Sequence, residues 1–243
     1  MEHHITPTLG VIGGLGPLAT AHFMELVIRM TDVQRDQDHL NMIIYSVPTI
    51  PDRTAYILDS TKPSPLPEMI RIGQLLAQQK AECVAIPCFT AHYFFDELCS
   101  SIDIPVINAI HSTADYLHQA GIRKVGIMAT TGTVRSGLFR QALTQRGMET
   151  LIPSPEGQAA VMSLIYDDIK QSRPADMDRF HQVRQELQEM GAEVIILGCT
   201  ELSMIKRDNA IGPGFIDAME VLAAACVDFC GKPLSPEGRN LIT

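Results

Sequence analysis

Short apolar runs of strand length recur along the whole chain, separated by segments with helical periodicity. The runs lie at residues 9–14, 42–47, 83–87, 105–110, 124–130, 149–153, 193–198 and 214–218. Because they are apolar throughout instead of alternating with polar positions, we expect them to be buried on both faces, as parallel strands covered by helices are. The pattern therefore predicts an α/β protein with doubly wound parallel sheets.

Helices are predicted between these runs, at residues 17–31, 65–80, 90–101, 111–121, 133–146, 156–171, 175–190 and 217–230. Pro17 and Pro174 stand where a helix tolerates proline, at its first turn. Gly121, Gly147 and Gly191 stand where helices commonly end.

The chain repeats itself around two cysteines. AECVAIPCFTAH aligns with AEVIILGCTELS so that Cys88 falls on Cys199. GVIGGLGPLAT and GIMATTGTVRS align at nearly the same spacing, as do PVINAI and GFIDAM. Each cysteine ends an apolar run, and ligands of doubly wound sheets bind outside the carboxyl ends of the strands. Two thiols can therefore face each other across one cleft.

This repetition predicts two pseudo-symmetric α/β halves with a cleft between them. Residues 1–112 together with 212–243 are expected to form the first half, which carries Cys88. Residues 113–211 are expected to form the second, which carries Cys199.

Composition narrows the class of protein. The chain has 243 residues, of which 46% are hydrophobic and 19% charged, as in ordinary globular proteins large enough for a closed core. No apolar run approaches the roughly 18 to 20 residues of a membrane span, and the start MEHHITPT lacks the regions of a signal peptide. We therefore expect a cytoplasmic protein without membrane contact.

Charge and cysteine usage exclude further classes. The net charge of −9 argues against nucleic acid as a partner. The six cysteines form no CxxC pair and indicate no disulfide framework. Cys88 and His92 have helical spacing, but no second pair completes a zinc site, so no metal is expected.

Cys88 and Cys199 are the candidate catalytic residues. Each ends a strand and precedes a predicted helix, whose positive end favours a thiolate. One thiolate and one thiol on opposite faces of a carbon make a base and an acid that exchange roles with the direction of reaction. The alternative is a buried structural cysteine, which is our interpretation of Cys83, Cys226 and Cys230, and of Cys99 as well.

Five motifs extend this picture to a family. GVIGGLGPLAT (10–20), IPDRTAYI (50–57), PCFTAH (87–92), MATTGT (128–133) and GCTELS (198–203) occur in this order. With them the chain resembles the cofactor-independent aspartate/glutamate racemase superfamily, and most of all its aspartate racemase branch. The resemblance implies a racemase without pyridoxal phosphate or metal, an active site between two α/β halves, a homodimer, and proton exchange by Cys88 and Cys199.

The same resemblance points to two cations. Arg53 matches an arginine that holds the side-chain carboxylate of the substrate, and a planar guanidinium suits that task. The alternative is a surface arginine paired with Asp52. Lys170 matches a lysine proposed to contact the substrate, although a lysine near a helix end is usually solvated.

Hydroxyl groups cluster at the same strand ends. Thr90 and Thr200 can hold the substrate α-carboxylate with hydroxyls and helix-start amides, or simply cap the helices. Thr130, Thr131 and Thr133 follow the matching strand of the second half. Their small polar side chains suit a site for a carboxylate and suit a turn equally well.

Three further acidic or basic side chains fall beside the predicted cleft. His92, Glu201 and Asp217 could tune the thiols or relay protons, and Glu201 is also a candidate substrate contact. The loop GLGPLA (14–19) weakly matches a dinucleotide fingerprint, in which paired cysteines would have no role.

One position departs from the family motif. Phe89 stands where the family has asparagine, so that an apolar ring replaces a hydrogen-bonding amide at a predicted substrate contact. The leading hypothesis is racemisation of aspartate or glutamate. The alternatives are a relative that acts on a less polar amino acid or a small dicarboxylate, and an amino-acid-binding protein impaired in turnover at Phe89.

Overall fold

The computed structural model describes residues 7–243. Residues 1–6, on which the expected absence of a signal peptide partly rests, lie outside the described residues. Between residues 7 and 243, no helix is long and apolar enough to cross a membrane.

The strands form two fully parallel sheets, which confirms the predicted α/β class. They are β1 (Thr8–Gly13), β2 (Asn41–Ser46), β3 (Cys83–Ala85), β4 (Lys124–Met128), β5 (Glu149–Leu151), β6 (Val194–Leu197) and β7 (Phe215–Asp217). One sheet has the order β2-β1-β3 and the other β5-β4-β6-β7. The predicted run at 105–110 makes only a parallel bridge between Val84 of β3 and Val106. It therefore lies beside β3 as β7 lies beside β6, and the order of the strands is the same in both sheets.

Helices cover both faces of the sheets, as the continuous apolar strands require. They are α1 (Pro17–Met30), α2 (Arg53–Leu58), α3 (Leu66–Gln78), α4 (Phe95–Ser101), α5 (Ala109–Gln119), α6 (Thr131–Ser136), α7 (Leu138–Thr144), α8 (Pro155–Ser163), α9 (Met177–Glu189), α10 (Thr200–Asp208), α11 (Ala218–Phe229) and α12 (Pro236–Arg239).

Several helix boundaries differ from those predicted. The predicted helix 133–146 is divided into α6 and α7 by Gly137, whose φ of 70° is left-handed. The predicted helix 156–171 becomes α8, a π-helical turn (Leu164–Asp168) and a 3-10 turn (Ile169–Gln171). α2 and α12 fall outside the predicted helix ranges, and α10 is the helix expected after Cys199, for which no range was predicted.

The assignment of residues 212–243 to the first half is wrong for its strand. β7 pairs with β6 and so extends the second sheet, because its apolar residues complete that sheet at the open edge of β6. The helix that follows, α11, packs against α1 of the first half, and α5 of the first half packs against α7 of the second. The domain boundaries at 112 and 211 stay a prediction.

These contacts between helices of different halves join the two halves. One continuous core includes residues of α1, α5, α7 and α11 together with β1, β3, β4 and β6. Two smaller cores lie beneath α3 and α9. The carboxyl ends of β3 and β6 are thereby held close to each other, and the residues that follow them meet at one place.

Candidate active site

Cys88 and Cys199 lie where β3 and β6 end and helical turns begin. Cys88 precedes a 3-10 helix (Phe89–Phe94), and Cys199 precedes α10. Both are buried, and both line one cavity, here called the thiol cavity. Its remaining wall is formed by Leu15, Asp52, Arg53, Thr54, Phe89, Thr90, Thr130, Tyr166, Lys170, Thr200 and Glu201. The free space in it is about 10 Å³, enough for one water molecule.

Cys199 faces a carboxylate. Its Sγ donates to Oε2 of Glu201 at 2.9 Å, and the Thr200 hydroxyl donates to the same oxygen at 3.1 Å. Burial raises the pKa of Cys199 well above its usual value, the negative Glu201 adds to this, and Lys170 opposes it. Cys199 is therefore a protonated thiol at neutral pH.

Cys88 faces a cation. Arg53 is the first residue of α2, and it is only 8% exposed. Burial would lower the pKa of Arg53, but attraction to the Cys88 sulfur and a hydrogen bond with it, together with Asp52 and Glu201, raise that pKa. The two cysteines thus have neighbours of opposite charge.

Arg53 is also tied to the backbone. Its Nη1 donates to the carbonyls of Ile50 and Pro51 at 3.4 and 3.1 Å, and Nη2 to that of Leu15 at 3.3 Å. Its Nε is buried and has no hydrogen-bond partner among the described residues. The alternative of a surface arginine paired with Asp52 does not describe this side chain, which presents one unused donor at the cavity.

Lys170 is only partly exposed and reaches across the cavity. Its Nζ lies 3.6 Å from Oδ2 of Asp52 and 4.0 Å from the ring centre of Tyr166. Burial would lower the pKa of Lys170, but the charge of Glu201, with smaller contributions from Tyr166, Cys199 and Asp52, raises it. Lys170 is therefore a positively charged residue in the wall of the cavity.

Asp52 and Tyr166 were not predicted. The Tyr166 hydroxyl lies 3.2 and 3.4 Å from the two oxygens of Asp52, which also caps α2 by accepting from the Ala55 amide at 2.7 Å. Burial would raise the pKa of Asp52, yet the Ala55 hydrogen bond and Lys170 lower it. The cap position could have identified Asp52, but no sequence signal identifies Tyr166, which the π-helical turn directs toward the cleft.

Four threonines join the halves beside the thiol cavity. The hydroxyls of Thr90, Thr130 and Thr133 lie 2.9 to 3.1 Å from one another, and Thr54 donates to Thr130 at 3.3 Å. All four are buried. Their hydroxyls therefore already have partners, and Thr133 lies behind the cavity wall, not in it.

Thr131 is also outside the cavity lining. Its amide donates to the sulfur of Met162 at 3.1 Å, and its hydroxyl accepts from Gln158 at 3.4 Å. Of the predicted group of Thr130, Thr131 and Thr133, the structure therefore brings only Thr130 to the cavity.

Phe89 contributes to the wall and to the core at once. The side chain is 1% exposed, and its ring lies 6.2 Å from that of His92 and 6.4 Å from that of Phe139 in the second half. The ring therefore packs between the halves, where an amide would need hydrogen-bond partners.

His92 and Asp217 are engaged in the scaffold and do not line the cavity. His92 Nε2 accepts from the Ala109 amide at 3.2 Å, and Nδ1 lies 3.2 Å from the Cys88 carbonyl. Burial lowers the pKa of His92 to about 4, so it is neutral. Asp217 caps α11 and accepts from the Ser203 hydroxyl at 2.7 Å. Both hold the ends of strands in place.

A second space, here called the outer cavity, opens from the thiol cavity. It measures about 390 Å³ and shares Leu15, Asp52, Arg53, Lys170 and Glu201 with the thiol cavity. Its other lining residues are Gly14, Gly16, Pro17, Leu18, Ala19, Pro48, Ile50, Ile169, Ser172 and Met204.

The loop that matched a dinucleotide fingerprint thus borders this outer cavity. Gly14 in it has a φ of 86°, and a Cβ there would lie 2.3 Å from the Val47 amide nitrogen. Glycine is needed at this position to bring the loop against β2. No cluster of three or more metal-binding side chains occurs within residues 7–243.

Comparisons with known proteins agree with these motifs. The family model described as Asp/Glu/Hydantoin racemase matches residues 12–226. The broad specificity amino-acid racemase RacX of Bacillus subtilis (strain 168) is 28% identical over 228 residues, which cover 90% of this chain and 96% of RacX.

Solved structures show the same fold. An aspartate racemase of Picrophilus torridus superposes with a TM-score of 0.83 at 31% identity, covering 96% of this chain and 98% of that one. The glutamate racemase of Francisella tularensis, solved with D-glutamate, gives a TM-score of 0.63 at 17% identity, covering 92% and 81%. At that identity the second similarity concerns the fold alone.

Proposed function

This chain belongs to the Asp/Glu/hydantoin racemase family and is an isomerase of that family, and from this we propose that it racemises amino acids without a cofactor, using Cys88 and Cys199. The observation that carries the proposal is the thiol cavity. Two cysteines at equivalent strand ends line it, one beside a guanidinium and the other hydrogen-bonded to a carboxylate.

In the proposed reaction the Cα of the amino acid lies between the two sulfurs. A Cys88 thiolate, opposite Arg53, accepts the Cα proton as the C–H bond breaks. Cys199 donates its thiol proton to the other face of the carbanion, which leaves Cys88 protonated and Cys199 ionised. The reverse direction exchanges these roles, so that no proton is gained or lost overall.

The cations next to the cavity support this chemistry. The carbanion carries negative charge that extends into the α-carboxylate, and fixed positive groups stabilise such charge in a site that excludes water. Arg53 and Lys170 lie at that wall. Burial, with the negative charge of Glu201, keeps Cys199 protonated until the carbanion forms.

Aspartate or glutamate is the substrate that the sequence predicts, with Arg53 near its side-chain carboxylate. The similarity to the aspartate racemase of Picrophilus torridus supports this choice. The similarity to the broad specificity racemase RacX supports a wider range of amino acids.

The test is exchange of the Cα proton. The protein is incubated in heavy water with thiol reductant and without pyridoxal phosphate, with L-aspartate, L-glutamate and a panel of other amino acids. We expect Cα deuteration by NMR and formation of the D-enantiomer by chiral chromatography. Ligand binding without any exchange would instead identify an amino-acid-binding protein.

The two cysteines are tested separately. Cys88→Ser and Cys199→Ser should each lower racemisation by about 100-fold or more, the usual contribution of a general acid or base. Cys99→Ser serves as the matched control, because Cys99 is exposed, which shows that its interpretation as a buried cysteine was wrong. Turnover close to that of the wild type in either site variant would disprove the two-thiol scheme.

Two properties that the sequence predicts belong to the same proposal. We propose that the enzyme acts in the cytoplasm and as a homodimer. Sedimentation of the purified protein would test the second of these directly.

A further inference from the structure

We propose that the outer cavity receives the substrate side chain and that the protein racemises neutral amino acids with long apolar side chains, such as methionine and leucine, as well as aspartate. This inference rests on the proposed function, because it places the Cα between Cys88 and Cys199. It adds the class of side chain that the site accepts and the residues that select it.

The shape of the site gives the first argument. The thiol cavity has about 10 Å³ of free space, whereas the outer cavity has about 390 Å³. The two meet at Arg53, Lys170 and Glu201, which line both. A side chain that leaves a Cα held between the cysteines therefore passes these residues and enters the larger space. The single methylene of aspartate spans only the junction.

The chemistry of the outer wall gives the second argument. Apolar side chains dominate it, as in sites that bind apolar groups. They include Leu15, Leu18, Pro48, Ile50, Ile169 and Met204. Burying an apolar substrate side chain against them stabilises the complex, because apolar surface is removed from water.

Charge gives the third argument. The cations Arg53 and Lys170 are already matched by Asp52 and Glu201 at the same junction, even before the Cys88 thiolate of the proposed reaction is counted, so the site has no excess of positive charge. An amino acid with a neutral side chain adds one positive and one negative group and keeps this balance. A second carboxylate would add a negative charge facing Asp52 and Glu201.

Hydrogen-bond donors support the same conclusion. Among the described side chains that line the thiol cavity, Nε of Arg53 is the one buried donor without a partner. The hydroxyls of Thr90 and Thr130 are bonded to other threonines, and that of Thr200 to Glu201. This Nε and the Lys170 ammonium, which lines the same cavity, are donors for the α-carboxylate that every amino acid has.

The test compares substrates and fills the outer cavity. Cα deuterium exchange is measured for L-methionine, L-leucine, L-aspartate and L-alanine in the wild type and in Leu18→Trp. Leu18 is 55% exposed on α1, so an indole can enter the cavity without disturbing the core. We expect wild-type exchange with methionine and leucine, and a fall of about tenfold in the methionine-to-alanine ratio in the variant.

Met24→Trp is the matched control, because Met24 is also exposed on α1 and does not line either cavity. It should keep the wild-type ratio. Exchange confined to aspartate and glutamate would overturn this inference and leave the proposed function standing. An unchanged methionine-to-alanine ratio in Leu18→Trp would also overturn it, whereas exchange with no amino acid at all would refute the proposed function itself.

Discussion

At the scale of single residues, Glu201 contributes to the difference between the two thiols, together with the burial of Cys199 and the placement of Arg53 beside Cys88. It accepts a hydrogen bond from Cys199 and lies two residues after it, at the first turn of α10. The residue equivalent by the internal repeat is Thr90, which is uncharged and bonds to threonines of the other half. The two equivalent positions therefore differ in charge, at the place where the proposed reaction needs one acid and one base.

Glu201→Gln tests this difference. Without the negative charge the pKa of Cys199 should fall, because that charge is one of the causes that raise it. The expected result is faster alkylation of Cys199 by iodoacetamide at pH 7 to 8, followed by mass spectrometry. Glu97→Gln, at an exposed position of α4, is the control. Equal rates in wild type and Glu201→Gln would show that burial alone holds the proton.

At the scale of elements, the same kind of contact fixes the strand ends in both halves. His92 and Ser203 each lie four residues after a cysteine, and each hydrogen-bonds to the start of a later helix, α5 for His92 and α11 for Ser203. The helix caps themselves differ, since Asn108 caps α5 and Asp217 caps α11. Of these two equivalent cap positions, only that of Asp217 thus holds an ionisable side chain.

This asymmetry predicts a dependence of stability on pH. Burial, with the nearby Glu220, raises the pKa of Asp217 from 3.8 to about 7, while Lys206 opposes the shift. Because the folded state binds this proton more tightly than the unfolded chain, the stabilisation it provides is full below about pH 4 and is lost as the pH rises to about 7.

Asp217→Asn should therefore remove part of this loss, since an amide can accept the same hydrogen bonds without titrating. Urea unfolding at pH 5 and pH 8 should show a smaller decrease in the free energy of unfolding for the variant, by on the order of 1 kcal/mol. Parallel pH profiles for the two proteins would contradict the buried, protonated Asp217.

At the scale of the whole molecule, the two halves are closed over the thiol cavity. An amino acid is larger than the one water molecule for which there is space, so binding requires the walls to move apart. The polar contacts at the mouth run from Asp52 of the first half to Tyr166 and Lys170 of the second. Opening must break these contacts and the threonine hydrogen bonds that also join the halves beside the cavity.

Tyr166→Phe should make this opening easier. A hydrogen bond to a charged group contributes about 1.5 to 3 kcal/mol, part of which is lost when the halves separate. We expect faster amide hydrogen exchange in α2 by mass spectrometry, since Asp52 caps that helix. Tyr93→Phe, at an exposed tyrosine, is the control. Identical exchange in wild type and Tyr166→Phe would place the closing contacts elsewhere.

Sequence by itself determined the class of fold and the two cysteines. Continuous apolar strands are visible because burial on both faces requires them, and the repeat around Cys88 and Cys199 is visible because each half needs the same strand end. The family follows from motifs at those ends. These features are local in the chain, so they can be recognised without knowing which elements touch.

Tertiary structure decided the rest, because it depends on contacts between distant segments. Only the tertiary contacts show that β7 joins the second sheet, that Arg53 is bound to backbone carbonyls, and that Asp52 contacts Tyr166. Tyr166 lies within a predicted regular helix, and no local pattern announces the π-helical turn that directs it to the cleft. Arg53 reaches Cys88, and Lys170 reaches Cys199, from segments that are distant in the chain, and folding alone brings these charges to the thiols.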